Sequence, residues 1–175
     1  NGCSSITKVK LPANVTLPSG MFMGCTNLTT LGTGTGDLME GLIDLSGYAA
    51  ASYGTQLFNG CSSITQVKLP EGIALSNNMF IGCTNLTTLG TGTGTLTQGL
   101  IDLSGYTAAS YGTQLFNGCS NITNVKLPAN VALSSAIFAD CTSLTTLGTG
   151  TGALTEGLID LSGYTAASYG GSVFC

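Results

Sequence analysis

Residues 1–58, 59–116 and 117–174 align with one another without a gap, and this threefold repetition constrains the fold more than any other property of the chain. NGCSSITKVKLP, NGCSSITQVKLP and NGCSNITNVKLP open the three units, and LTTLGTGTG and GLIDLSGY recur later in each. A unit repeated at a fixed period cannot bury its apolar face alone, so neighbouring units stack and share one continuous core. The 175 residues are therefore expected to form a single repeat domain within a longer array or assembly.

Each unit holds two related halves, marked by Phe-x-x-Cys at Phe22/Cys25, Phe58/Cys61, Phe80/Cys83, Phe116/Cys119 and Phe138/Cys141, with Cys3 continuing the series backwards. The cysteines are spaced alternately by 22 and 36 residues. A step of 22 is the length of one leucine-rich coil, and Ile6-x-x-Val9-x-Leu11 supplies a short strand whose alternate side chains point inward, leaving Lys10 outward. In the longer step, Leu28-x-x-Leu31 starts a comparable strand, and Gly32-Thr33-Gly34-Thr35-Gly36 then intervenes before Leu42-Ile43-Asp44-Leu45. The extra residues read as a hairpin-like excursion from one face, because Leu28 to Leu42 is too short for a separate turn of solenoid. The expected fold is a β-rich leucine-rich-repeat solenoid of parallel strands, in about six coils of alternately 22 and 36 residues. Lys10 and Asp44 are then expected at the same outward position on neighbouring coils, as are Lys68 with Asp102 and Lys126 with Asp160. Alternating charges would thus run along the stack one strand spacing, ~4.8 Å, apart. Met21, Leu57, Met79, Leu115, Ile137 and Val173, each preceding a Phe, form an apolar stop behind the strands.

Phe-x-Gly-Cys with Ser-Ile-Thr-x-Val-x-Leu-Pro, Met-Phe-x-Gly-Cys-Thr-Asn-Leu-Thr-Thr-Leu, and LIDLSGY leading on to LFNGC resemble the BspA-like leucine-rich repeats of bacterial and protist surface proteins. The resemblance covers essentially the whole chain and departs only in the Gly-Thr-Gly-Thr-Gly insertion of every second coil. It implies a cell-surface or secreted protein that binds matrix proteins or cells. The motif carries no catalytic residues, so none is implied here.

Composition narrows the function in the same direction. Only 7% of residues are charged, and the balance of −4 comes without arginine, so no basic patch exists to hold nucleic acid. His and Trp are absent, which removes the commonest general base and metal ligand and the usual sugar-stacking indole. No apolar run reaches the length of a membrane span. The chain reads as non-enzymatic, with no catalytic, metal or cofactor residues.

Several residue sets invite a site. Seven cysteines suggest disulfides, Cys3 with Cys25 for example, but their identical coil position favours a ladder of small, buried, reduced side chains. The Gly32–Gly36 run completes neither GxxxxGK[ST] nor GxGxxG and reads as a turn or hairpin. Asp44, Asp102 and Asp160 are three equivalent copies rather than one asymmetric constellation, and so do not suggest catalysis. Tyr48, Tyr53, Tyr106, Tyr111, Tyr164 and Tyr169 either stack on sugars or partners, or cover the coil corner with their hydroxyls in water. Sequons at Asn14, Asn27, Asn85 and Asn121 matter only in a eukaryotic secretory pathway. Thr33-Gly34-Thr35 recurs too sparsely for an ice-binding array.

The copies differ most at Ala13/Glu71/Ala129, Gly20/Asn78/Ala136 and Asp37/Thr95/Ala153, and no single distinctive patch stands out. Both ends break off in mid-repeat and are expected to be uncapped, which allows head-to-tail self-association. Two functions follow. One is an extracellular or cell-surface adhesive module for protein or cell-surface ligands; the other is a structural subunit of a head-to-tail filament.

Overall fold

Alternation of apolar and polar residues places Val67 and Leu69 inside and Gln66 and Lys68 outside, and Val125 and Leu127 repeat it one unit on. The computed structural model describes residues 2–13, 15–48, 53–92, 94–106, 111–129, 131–150, 152–162 and 170–174. Its strands are β1 (Lys8–Leu11), β2 (Thr30–Thr33), β3 (Leu42–Asp44), β4 (Gln66–Leu69), β5 (Thr88–Thr91), β6 (Leu100–Asp102), β7 (Asn124–Leu127) and β8 (Thr146–Thr149). They form one parallel sheet in chain order, and an isolated parallel bridge from Leu147 to Ile159 continues it. No helix occurs among the described residues.

At the corner opposite the sheet the chain makes two turns per unit, as the Phe-x-x-Cys spacing predicts. Phe22, Phe58, Phe80, Phe116, Phe138 and Phe174 stack with centroids 5.6–6.1 Å apart and near-parallel planes. Each main-chain N–H at a Phe donates to the carbonyl just before the Phe of the next coil, as Phe80 does to Leu115 at 3.0 Å, so these backbone groups are paired without a strand. Of the residues that precede each Phe, Leu57, Met79, Leu115 and Ile137 are fully buried and Val173 is buried, while Met21, on the first coil, is 40% exposed.

The sheet side differs from expectation in one respect. Leu31 pairs with Ile43, so the excursion after β2 re-enters the sheet as the parallel strand β3 instead of forming a hairpin. Each complete unit thus contributes three strands but only two coils. The spacing from Leu28 to Leu42 is indeed too short for a coil; it is sufficient for a loop that doubles back over the sheet and starts a new strand. Three strand spacings advance about 14 Å. Two ring steps, of 5.6 and 5.8 Å, advance only about 11 Å. The stack is therefore wider at the sheet than at the phenylalanines.

The charged rows change accordingly. Lys10 lies beside Gly32, not Asp44; Asp44 lies beside Lys68, and Asp102 beside Lys126. Along the sheet the outward position reads Lys, Gly, Asp and repeats, so the acid of one unit meets the lysine of the next. The expected pairs Lys10–Asp44 and Lys68–Asp102 are each separated by a glycine strand.

Candidate functional site

Each β2–β3 type connection is an arch lying on the outward face of the sheet. Gly32 allows this because it presents no side chain there: a Cβ at Gly32 would stand 2.7 Å from Leu38 Cδ2, with 2.8 Å at Gly90/Leu96 and 2.7 Å at Gly148/Leu154. The foot of each arch is pinned by a buried threonine. Gly41 N–H donates to Thr30 Oγ1 at 3.1 Å, Gly99 to Thr88 at 3.1 Å and Gly157 to Thr146 at 3.0 Å. These three threonines are buried polar side chains, and the bond satisfies their hydroxyls.

A second tie varies between copies. Lys8 Nζ meets Glu40 Oε2 at 2.5 Å in the first unit, whereas Gln98 Nε2 donates to Gln66 Oε1 at 3.1 Å at the equivalent positions of the second. Lys10 Nζ also donates to the carbonyl of Thr35 at 3.3 Å, which holds the near side of the first arch.

Between arch and sheet lies a cavity, and it recurs. Leu31, Gly32, Thr33, Gly36, Asp37, Leu38, Met39, Asp44, Ser46 and Gly47 line about 270 Å³ in the first unit. The residues 58 positions on line about 260 Å³ in the second, joined by Glu71. Asp44 Oδ1 accepts from Ser46 N–H at 2.9 Å and Ser46 Oγ at 2.6 Å, and Asp102 is held identically by Ser104. In the third unit Ser162 N–H donates to Asp160 at 2.9 Å, and these serine bonds hold the Asp160 carboxyl below its usual range.

Two of the positions that differ most between copies meet at these cavities. Asp37 supplies a second carboxylate to the first; Thr95 replaces it in the second, where Glu71 arrives from the preceding coil with Oε1 close over Gly92. The third unit has Ala129 and Ala153 at these positions. Wider furrows of about 320 and 350 Å³ separate successive arches, floored by Gln66, Lys68 and Asn124 and walled by Met39, Leu96 and Leu154.

The other sequence candidates lie in the interior or along the corners. Cys25, Cys61, Cys83, Cys119 and Cys141 are buried free thiols, and Cys3 is an exposed one, while Cys175 lies outside the described residues. Each Sγ from Cys61 onward donates to the carbonyl of a Phe one coil back: Cys61 to Phe22 at 2.9 Å, Cys83 to Phe58 at 3.2 Å, Cys119 to Phe80 at 3.0 Å and Cys141 to Phe116 at 3.1 Å. Burial pushes the Cys61 and Cys141 thiols up to about 12 and raises Cys83 and Cys119 well above the ordinary thiol value. The five from Cys25 to Cys141 thus form the expected buried ladder, and Cys3 departs from it by being exposed.

Tyr48, Tyr53, Tyr106 and Tyr111 correct both readings offered for them. All four are buried, paired at ring distances of 5.7 Å (Tyr48–Tyr53) and 5.2 Å (Tyr106–Tyr111), and Leu75 N–H donates to the Tyr106 hydroxyl. They are core residues, presenting neither a stacking platform nor a hydroxyl to water. Tyr164 and Tyr169 lie outside the described residues, as does Asn14. Asn27 Nδ2 donates to the Ser4 carbonyl at 2.7 Å, and Asn121 Nδ2 to Asn85 Oδ1 at 3.1 Å, so these sequon amides serve contacts between coils. Thr33 ends β2, and its chain then leaves the sheet, which breaks up any Thr-x-Thr array.

Leu38 and Thr30 carry no sequence-based expectation, and Gly32 is expected only as part of a turn or hairpin. Their signal was present: Gly occupies the outward strand position where the preceding strand has Lys, and Leu follows six residues later in all three units.

Six copies of the BspA type leucine rich repeat region match the chain, over residues 1–36, 43–98 and 100–155. No curated protein matches it. A crystal structure of a leucine rich cell surface protein from Faecalibacterium prausnitzii A2-165 is similar at a TM-score of 0.49 and 18% identity, over 85% of this chain and 49% of that one. The chain thus spans about half the length of that protein.

Proposed function

Because this chain belongs to the BspA-type leucine-rich repeat family, we propose that it is an extracellular or cell-surface binding module that engages protein or cell-surface ligands and performs no catalysis of its own. The observation that carries this reading is where the copies differ. Inward residues such as Val67 and Val125 or Ile101 and Ile43 are conserved in kind between units and fully buried. Asp37, Glu71, Met39 and the Lys8/Gln66/Asn124 series, by contrast, differ between units and all stand on or beside the arches. Positions at the phenylalanine corner, such as Gly20/Asn78/Ala136 and Met23/Ile81/Ala139, differ as well; variation on the ridged outward face, beside strands whose inward residues do not change, suits a surface that presents several related contacts to a partner.

The test is adhesion of the purified chain to immobilised matrix proteins and to cells, set against a chain whose three arches are each replaced by a short Gly-Ser link. Binding that depends on the arches supports the reading. Equal binding by both chains, or none by either, overturns it. Electron microscopy of the same preparation checks the structural alternative, since concentration-dependent filaments without adhesion would favour a fibre subunit.

A further inference from the structure

Resting on the binding-module reading, we propose that the cavities beneath the first and second arches each receive one ring of a neutral hexose polymer. Size is the first argument. At about 260 and 270 Å³ the two spaces fall just below the range of drug-sized ligand pockets, which suits a single saturated ring better than a peptide segment.

Chemistry is the second. Each cavity combines a carboxylate fixed by a serine, a second carboxylate (Asp37 or Glu71), a threonine hydroxyl and an apolar leucine. Both serine bonds at Asp44 fall on Oδ1, and Asp102 repeats this. A sugar ring has the complementary make-up: hydroxyl donors and acceptors around its rim, and C–H faces for Leu38 or Leu96.

Charge is the third. The outward row sets Lys10 and Lys68 on the two sides of the Gly32–Asp44 pair, and Lys68 and Lys126 on the two sides of Gly90–Asp102. The lysines lie outside the cavity linings, whereas two carboxylates line each cavity, Asp37 with Asp44 and Glu71 with Asp102; these oppose an anionic ligand and accept hydrogen bonds from the hydroxyls of an uncharged one. Repetition is the fourth. Chemically matching cavities one unit apart, about 14 Å along the sheet, fit a ligand that itself repeats, and simultaneous use of both adds avidity.

The test uses dextran and mannan as neutral hexose polymers, with carboxymethyl-dextran and poly-L-lysine as charged counterparts, immobilised and titrated with the full chain. Gly36→Tyr and Gly94→Tyr fill the cavities. A Cβ at either position meets nothing within 4 Å, and neither glycine has a positive φ, so the fold is retained and is checked by its melting temperature. The expected result is binding to at least one neutral polymer, lowered roughly tenfold by either substitution and at least about a hundredfold by both. Neutral polymer binding that survives the double substitution overturns the proposal, as does binding to the charged polymers alone or to none of the four. A chain that adheres to cells or matrix proteins through its arches yet ignores dextran and mannan overturns this inference while leaving the binding-module reading intact.

Discussion

Substituting alanine for Gly112 separates a glycine required by packing from one that merely occupies a loop. A Cβ at Gly112 would stand 2.3 Å from the carbonyl carbon of Ser76, 2.4 Å from Asn77 N and 2.5 Å from Ser76 O, all of them backbone atoms. Carbon atoms in contact rest at about 3.5–4.0 Å, so the two coils must part by more than about 1 Å. That displacement falls among the bonds that join them: Gly112 N–H to Leu75 O at 3.0 Å, Asn78 N–H to Thr113 O at 3.0 Å, and Thr113 N–H to Asn77 Oδ1 at 2.9 Å. Losing two or three such bonds at about 1 kcal/mol each, with the added strain of overpacking, puts the cost of Gly112→Ala at about 3–5 kcal/mol. Gly94→Ala, where a Cβ meets open space, is expected to change stability by no more than about 0.5 kcal/mol. Urea titration followed by circular dichroism measures both. A Gly112→Ala chain that unfolds within about 0.5 kcal/mol of the parent would falsify the claim that backbone contact between coils sets the stack.

Four further outcomes are expected. Asp140 adopts φ 57° where Gly24, Gly60, Gly82 and Gly118 occupy the same coil position, so Asp140→Gly should stabilise by about 1 kcal/mol, read as a higher urea midpoint. Phe80, fully buried between two rings, should cost about 3–5 kcal/mol on replacement by alanine, and Phe174, 41% exposed with a single ring neighbour, clearly less; equal losses would argue against a stacked core. With its thiol pushed up to about 12, Cys61 has roughly one thiolate in ten thousand at pH 8, so alkylation should modify Cys3 long before Cys61. Because these folded thiols hold their protons more tightly than unfolded ones, stability should be flat below about pH 8.5 and decline as pH rises towards 12, and Cys61→Ala with Cys141→Ala should reduce the slope.

The coil count was legible because Phe and Cys have a single role each. Every coil needs one ring and one small side chain at the corner, so their spacing reports turns of the chain directly. Strand number was not legible by the same rule. Ile43 and Asp44 carry the same inward–outward alternation as Val9 and Lys10, but β3 is only three residues long, and the spacing from Leu28 to Leu42 is too short for a strand that needs its own coil. The misassigned Lys–Asp pairs followed from that assumption, since inserting one strand per unit shifts every partner by one row. The tyrosines were misjudged for a different reason: SGY reads as a surface turn, and only the arrangement of neighbouring coils shows that Tyr48 and Tyr53 bury their rings against each other. At the candidate site, Asp44 and Asp102 could be picked out as outward carboxylates. The approach of Glu71 to the second cavity could not, because it comes from the preceding coil across a contact that no local pattern records.

The inequality between strands and coils also explains why the proposed site stands where it does. A strand that comes with its own coil is reached through the far corner of the solenoid, and its outward face stays flat. A strand added without a coil has to be reached across the sheet itself, and the connecting residues must lie on the outward face because the inward face is filled by Leu31, Ile43 and Val67. The same insertion therefore widens the stack on one side, raises an arch there, and encloses a cavity between the arch and the two strands it joins. Gly32 lets Leu38 settle onto the sheet beneath the arch, since a Cβ at that position would stand 2.7 Å from Leu38 Cδ2 and displace it. Substituting alanine for Gly32, Gly90 and Gly148 together should accordingly leave the ring ladder and the melting temperature little changed, because the obstructing atom is the end of a flexible leucine, while altering ligand binding at the arches. A large loss of stability with binding retained would place the glycines in the service of the core instead.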